Sequence, residues 1–515
     1  MEFSDHEAFH PRCCPCGCHT EPVAGIDRRV FLGGAALGGL ALGGMTWSAI
    51  SAAEPQLPAA PPRRALVVKP AFFYRTYTPR PQSSWRSWGG IETQQDADGE
   101  VARINEELKK LQAEADFPMK VLPLAAVHNV KELEQAADLP SADVLLVYAA
   151  NGDLKGLDLL GKQVVFFIRH QSGPLYLWYE IISPRYLRQH KDQNAIPSVD
   201  PADVVVDRLD EVVWRLRALC GLANTVGSKI LAIGGPGAWA QPKDVVPNLV
   251  REKWKMDLQT VGYDELGKLL QEALKDPAAV ALAERRATEY LKLPGTKMEA
   301  QRGFLDRAFL LEMVFRKLMT QAQCRAITVN ACMGTIMKVS ETTACMPLST
   351  LNDEGWLAFC ESDFVVIPSG MLAANISGRP MFLNDPTYPH DGLITLAHCT
   401  APRKLDGKQL EPVRILTHFE SDYGAAPKVE MRAGQKVTNI IPDFASQRWV
   451  GFLGEIVSAP FLPICRSQIE VRFTCDAQKL AERMPGFHWM MVYGDCMREM
   501  GYALKKIPIE WEVLG

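Results

Sequence analysis

Apolar residues along the first third of the chain gather in runs of strand length, ALVVKPAFF (65–73), ADVLLVYAA (142–150) and KQVVFFIRH (162–170). Between the first two, EVARINEELKKLQAEA places Val101, Ile104, Leu108 and Leu111 at helical spacing. Runs that do not alternate belong to strands covered on both faces, so the pattern predicts a sheet wrapped by helices. DRLDEVVWRLRALCGLA (207–223) predicts a helix leading into the strand and glycine turn SKILAIGGPGAW (228–239). Gly234, Gly235 and Gly237 lack the G-x-G-x-x-G spacing of a dinucleotide fingerprint. They read as a loop at the C-terminal edge of a parallel strand, where ligands gather, or as a simple tight turn. Two helical patterns follow, one ending near Leu291 and one from about Phe304 to Gln321, then the strand AITVN (326–330). In TACMPLSTLNDEG, Cys345, Leu348 and Leu351 mark a short helix that Gly355 can close.

Beyond residue 386 the pattern turns to short β-like pieces, ITLAHC, VRILTHF, KVTNII, EIVSAP and QIEVRFTC, separated by Pro, Gly and Asp. HWMMVYGD, the helical CMREMGYALKKI and the strand IEWEVL complete the chain. The fold class expected is therefore α/β: two Rossmann-like α/β domains, at 65–225 and 226–385, followed by a β-rich C-terminal domain at 386–515.

With 515 residues, 47% of them hydrophobic, there is material for more than one core. Lys and Arg total 56 against 60 for Asp and Glu, a net charge of −4 that gives no electrostatic reason for a nucleic-acid partner. Ahead of the body, IDRRVFLGGAALGGLALGG (26–44) joins Arg28 and Arg29 to a glycine-diluted apolar run. It is shorter than the about 20 apolar residues a membrane span needs. Ser51 and Ala53 fit a small-x-small cleavage site. Residues 1–53 resemble a twin-arginine signal, which implies a folded protein exported to the periplasm or beyond, a mature chain from Glu54, and no stable membrane insertion after signal removal. The alternatives are an uncleaved anchor or a buried glycine-rich helix in a cytoplasmic protein. EPQLPAAPPRR (54–64) reads as a linker.

Of thirteen cysteines, Cys13, Cys14, Cys16 and Cys18 crowd beside His19 in the leader, dense enough for zinc but too tight for one unstrained tetrahedral site. The nine from Cys220 to Cys496 show no disulfide-framework spacing and read mainly as small buried hydrophobes.

GWLAFCESDFVVIPSG (355–370) interrupts two apolar stretches with Glu361 and Asp363. At the C-terminal end of a strand such carboxylates either hold a ligand or cap the next helix. A divalent ion such as Mn²⁺ takes carboxylate oxygens and accepts imidazole. His398, in LITLAHCTAP, and His488, in PGFHWMMVYGD, are the candidate imidazoles, each with a satisfied core histidine as its alternative.

Taken in order, LSTLNDEGWLAFCESD, SGRPMFLNDP, HCTAP and HWMMVYGD resemble the C-terminal half of the L-fucose isomerase and L-arabinose isomerase family, over residues 325–515. The resemblance implies a fucose-isomerase-like chain of two α/β domains and a β-rich third. It further implies a manganese-dependent aldose–ketose isomerase that acts on a monosaccharide and forms a homo-oligomer. The metal ligands implied are a glutamate, an aspartate and a histidine. By motif Asp363 matches the aspartate, His488 the late histidine, and His398 a histidine lining the sugar site. The glutamate lies some two dozen residues before the aspartate in a variable segment; Glu341, in KVSETTAC, is the nearest acidic residue, and Glu361 is the alternative carboxylate.

Isomerisation moves a proton between C1 and C2 of the open-chain sugar, and a divalent ion on O1 and O2 acidifies that C–H bond. Asp363 and either Glu341 or Glu361 are the expected base and acid, each worth about 10²- to 10⁴-fold in rate. Trp356, Trp489 and Tyr493 are candidate apolar faces for the sugar, or core residues. An exported carbohydrate-binding protein that keeps the fold without the chemistry is the alternative. A metal-dependent hydrolase or oxidoreductase is a weaker one, since H-E-x-x-H, G-x-S-x-G and a phosphate-binding loop are all missing from the sequence.

Overall fold

The longest run of the N-terminal region, Val144–Ala149, is buried at every position. It is the middle strand of a parallel sheet in a computed structural model that describes residues 57–176 and 200–515. That sheet is built from β1 (Leu66–Phe73), β2 (Met119–Val121), β3 (Ala125–Val127), β4 (Val144–Ala149), β5 (Gln163–Ile168) and β6 (Val204–Val206), in the order β2-β1-β4-β5-β6 with β3 also on β1. The helix Gln94–Glu114 begins with a reciprocal cap between Thr93 and Asp96 and buries Ala97, Ile104, Leu108 and Leu111. The leader, with its paired arginines and the Cys13–His19 cluster, lies outside the described residues.

A second parallel sheet contains β7 (Lys229–Ile233) and β8 (Asp257–Val261). The next strand, β9 (Thr296–Met298), leaves it for a small sheet, and β10 (Ala326–Val329) and β11 (Leu357–Cys360) complete the order β11-β10-β7-β8. The C-terminal ends of β7, β10 and β11 thus lie side by side, and the loops after them face one region. The predicted short helix and strand here are present, Cys345–Asp353 and β11, with Gly355 left-handed (φ 87°) between them.

Helices Leu209–Ala223 and Ile367–Ser377 pack so closely that a Cβ on Gly221 would lie 2.3 Å from Ile376 Cγ1 and 3.0 Å from its backbone nitrogen. Gly221→Ala is therefore expected to cost about 1–3 kcal/mol of stability, read as a lower urea midpoint.

The β-rich region consists of β12 (Phe382–Pro386), β13 (Leu393–His398), β14 (Val413–Leu416), β15 (Ala426–Val429), β16 (Lys436–Ile441), β17 (Arg448–Ser458), β18 (Ser467–Phe473), β19 (Trp489–Tyr493) and β20 (Glu510–Leu514). Strands run β16-β19-β12-β13-β18-β17, and β17 pairs back onto β16, which closes a barrel; β20 adds in parallel to β17. The barrel begins at β12, a few residues before the expected boundary at 386. β14 joins β15 and β9, so a strand from the middle of the chain belongs to this region.

Helix Arg302–Gln321 is buried without a break from Ala308 to Arg316 and carries an ionic cluster in that stretch. Glu312, fully buried, pairs with both Arg286 and Arg316, and Glu354 pairs with the same two arginines at 3.1 and 2.7 Å. The segment expected as a linker is docked at its C-terminal part. Pro58 O accepts a hydrogen bond from Arg316 at 3.1 Å, Arg63 donates to Asn375 O at 2.7 Å, and Arg64 pairs with Asp143 at 2.8 Å. No helix among the described residues is long and apolar enough to cross a membrane.

Candidate metal centre

The site begins where β11 ends. Glu361 (φ 63°) and Ser362 (φ 47°) both take the left-handed conformation, which costs a non-glycine residue about 1–3 kcal/mol and persists only where surrounding contacts enforce it. Those contacts come from neighbouring loops. Ser362 N donates to Thr328 Oγ1 at 3.1 Å, Gly237 N donates to Ser362 O at 3.2 Å, and Phe364 N donates to Gly237 O at 3.1 Å. The glycine turn after β7 thus braces the acidic turn after β11.

Barrel register supplies the other donors. Asn384 on β12 opposes Trp489 on β19, so Asp385 lies beside His488, which precedes that strand. Asp385 also opposes Ala397 on β13, next to His398. His488 Nε2 lies 3.4 Å from Glu361 Oε2 and 3.3 Å from Asp385 Oδ1, and His398 Nε2 lies 3.7 Å from Glu361 Oε1. Ligand atoms of Glu361, His398 and His488 fall within 4.8 Å of one another, a spacing suited to one metal ion.

The far nitrogen of each imidazole is occupied. His488 Nδ1 is 2.7 Å from Asp363 Oδ2, and His398 Nδ1 is 3.0 Å from Thr400 Oγ1. The carboxylate accepts the Nδ1 proton of His488 and leaves the Nε2 lone pair for a cation, as an outer partner of a metal-bound histidine does. Asp363 is held in turn, its Oδ1 accepting from Trp239 N at 3.2 Å and Val365 N at 3.1 Å.

Burial opposes charge on all of these groups, and their mutual attraction decides the balance. Although burial alone would raise it, the carboxyl of Glu361 is held well below the usual range by His488 and His398. Burial pushes Asp385 up to about 6 against the pull of both histidines. His398 and His488 are raised despite burial, by Glu361 first in each case, with Asp363 and Asp385 adding at His488. Without a cation the imidazoles carry the compensating positive charge; a divalent ion replaces those protons. Asp385 Oδ1 and His488 Nε2 are buried and make no hydrogen bond, although 3.3 Å apart. Two carboxylates and two imidazoles with free donor atoms fit a divalent transition-metal ion.

The centre opens on a cavity of about 430 Å³ whose wall includes Glu361, Asp385 and His398, with Met337, Phe419 and Ile464 among its apolar residues.

Of the residues singled out in the sequence, Glu361, Asp363, His398 and His488 come together. Glu341 does not join them: it ends helix Thr335–Ser340 in a left-handed conformation, more than half exposed, paired with Arg307 at 3.0 Å. Trp489 points into the barrel core against Phe452, 5.8 Å between ring centres, and Trp356 and Tyr493 are buried away from the cavity wall. Asp385 was missed. Its signal was present in the quoted stretch SGRPMFLNDP, where an acidic residue ends an apolar strand.

Because Asp363 touches His488 rather than the space between the free donor atoms, Asp363→Asn is expected to weaken ion binding by about 10- to 100-fold without abolishing it. Equilibrium dialysis against Mn²⁺ measures this; complete loss of binding would make Asp363 a direct ligand.

No protein-family model matches the chain, and no curated protein matches it in sequence.

Proposed function

We propose that this protein is a metal-dependent aldose–ketose isomerase acting on a monosaccharide, with Mn²⁺ or a similar divalent ion held by Glu361 and His488 and by His398 or Asp385 as third donor. The observation that carries the reading is the meeting of two carboxylates and two imidazoles from four separate segments, with Glu361, Asp385 and His398 on the wall of one cavity and His488 buried directly behind them. The family resemblance supports it in a revised register. Glu361 and Asp385 stand some two dozen residues apart, the separation the family implies for its glutamate and aspartate. Asp363 then becomes the partner that orients His488.

When bound, the ion supplies Lewis acidity toward the sugar's adjacent oxygens. Glu361 and Asp385 lie where one can take a proton from the substrate carbon while the other returns it. His398, fixed by Thr400, turns Nε2 to the cavity and can hold a sugar hydroxyl.

The test is elemental analysis of the purified protein together with a screen of aldoses for ketose formation. Bound Mn²⁺ and conversion of at least one aldose are expected; metal-loaded protein that converts none sinks the enzymatic reading. The apolar part of the cavity, Met337, Phe419 and Ile464, favours a second reading in which the fold binds carbohydrate without turning it over. In that case the same screen shows sugar binding and no product.

The export reading remains part of the proposal. Arg28→Lys combined with Arg29→Lys is expected to leave the precursor in the cytoplasm, measured by cell fractionation, and unchanged export would count against a twin-arginine route. A homo-oligomer is proposed on the family resemblance alone.

A further inference from the structure

Five of the nine cysteines among the described residues, Cys332, Cys345, Cys360, Cys399 and Cys465, line the single 430 Å³ cavity beside the candidate metal centre. Two of them have a distinct geometry. Cys360 is the last residue of β11 and the neighbour of Glu361. Ala331, left-handed at φ 50°, turns the chain after β10 and brings Cys332, half-buried, up to the Cys360 thiol. The two sulfurs and a Glu361 oxygen lie within 4.8 Å of one another. With metal–sulfur bonds of about 2.3 Å, tetrahedral zinc sets its sulfurs about 3.8 Å apart, so a shift of about 1 Å or less turns this trio into a ligand set.

We propose that Cys332, Cys360 and Glu361 form a second cation site, selective for thiophilic ions such as Zn²⁺ and Cd²⁺, which shares Glu361 with the histidine centre. Thiolates select soft ions, whereas the carboxylate and imidazole set accepts Mn²⁺, so donor chemistry separates two sites that share a residue. Three protein donors leave a fourth position facing the cavity, the arrangement of an exchangeable site rather than a closed structural one. Each thiol gives its proton to solvent as its sulfur–metal bond forms, and no oxidant is involved. The site uses the same Glu361 as the isomerase reading, but its two thiols are independent of that reading.

Cadmium titration of the reduced full-length protein tests the proposal, read by the ultraviolet thiolate-to-cadmium charge-transfer band and by equilibrium binding. Cys332→Ser/Cys360→Ser is expected to lose one bound cadmium and the absorbance of two cadmium–thiolate bonds relative to wild type. Cys332→Ala, at the half-buried position, should lose one of those bonds and guards against a misfolded double variant. Cys220→Ser/Cys475→Ser, at two positions off the cavity wall, keeps the signal. His488→Ala, which removes the proposed isomerase ion, also keeps it, so failure of the isomerase reading and failure of this one are distinguishable. Full cadmium signal in Cys332→Ser/Cys360→Ser, or an equal loss in Cys220→Ser/Cys475→Ser, overturns the assignment.

Discussion

Glu361→Gln is expected to remove retained metal and to lower ketose formation by about 10²- to 10⁴-fold or more, while circular dichroism shows the fold retained. The side chain is isosteric, so packing is preserved, but a neutral amide offers neither the charge that holds His488 and His398 nor a second equivalent oxygen for an ion. Glu341→Gln is the matched control. Its carboxylate is exposed and pairs with Arg307, outside the cavity, so metal content and turnover should both be unchanged. The reverse outcome, with Glu341→Gln inactive and Glu361→Gln active, would transfer the role of the first carboxylate to Glu341.

The largest effect on stability is expected at Glu312. Glu312→Leu leaves the buried Arg316 and the nearby Arg286 facing one partly exposed partner, Glu354. Breaking a buried pair by removing one charge costs about 3–5 kcal/mol, because the remaining charge stays desolvated. That loss should appear as a large drop in the urea midpoint at unchanged slope. Replacing Glu106, whose exposed pair with Lys109 faces water, should leave the midpoint where it was. A Glu312→Leu protein as stable as wild type would mean that the cluster is already offset by solvent.

Local pattern made the parallel sheets readable, because strands buried on both faces write themselves as apolar runs and helices as a stripe every three or four residues. The helix Cys345–Asp353 and the strand before Glu361 were legible for the same reason. Closure of the barrel was not, since the pairing of β16 with both β17 and β19 is a matter of register between distant segments. The candidate site divides along the same line. Glu361 and the two histidines stood out as polar residues at strand ends. Asp385 ends a strand too, yet only the pairing of Asn384 with Trp489 shows that it meets His488. For Asp363, a cap and a ligand both call for a carboxylate oxygen. Its geometry joins a local turn ahead of the helix, closed by Val365 N donating to Oδ1, to the orientation of a histidine, which no spacing rule announces; the helix itself has Val366 at its N-cap and no side-chain cap.

The docked strap at 57–64 gives the N-terminal side of the body a mechanical character. Leu57 and Ala60 pack on the core, Pro58 hangs on Arg316, and Arg63 and Arg64 fasten to separate parts of the fold. Tension on the chain ahead of this strap would fall on the Leu57 packing and the Pro58–Arg316 contact, and through Arg316 on the ionic cluster of the central helix, before it reached any strand of the sheets.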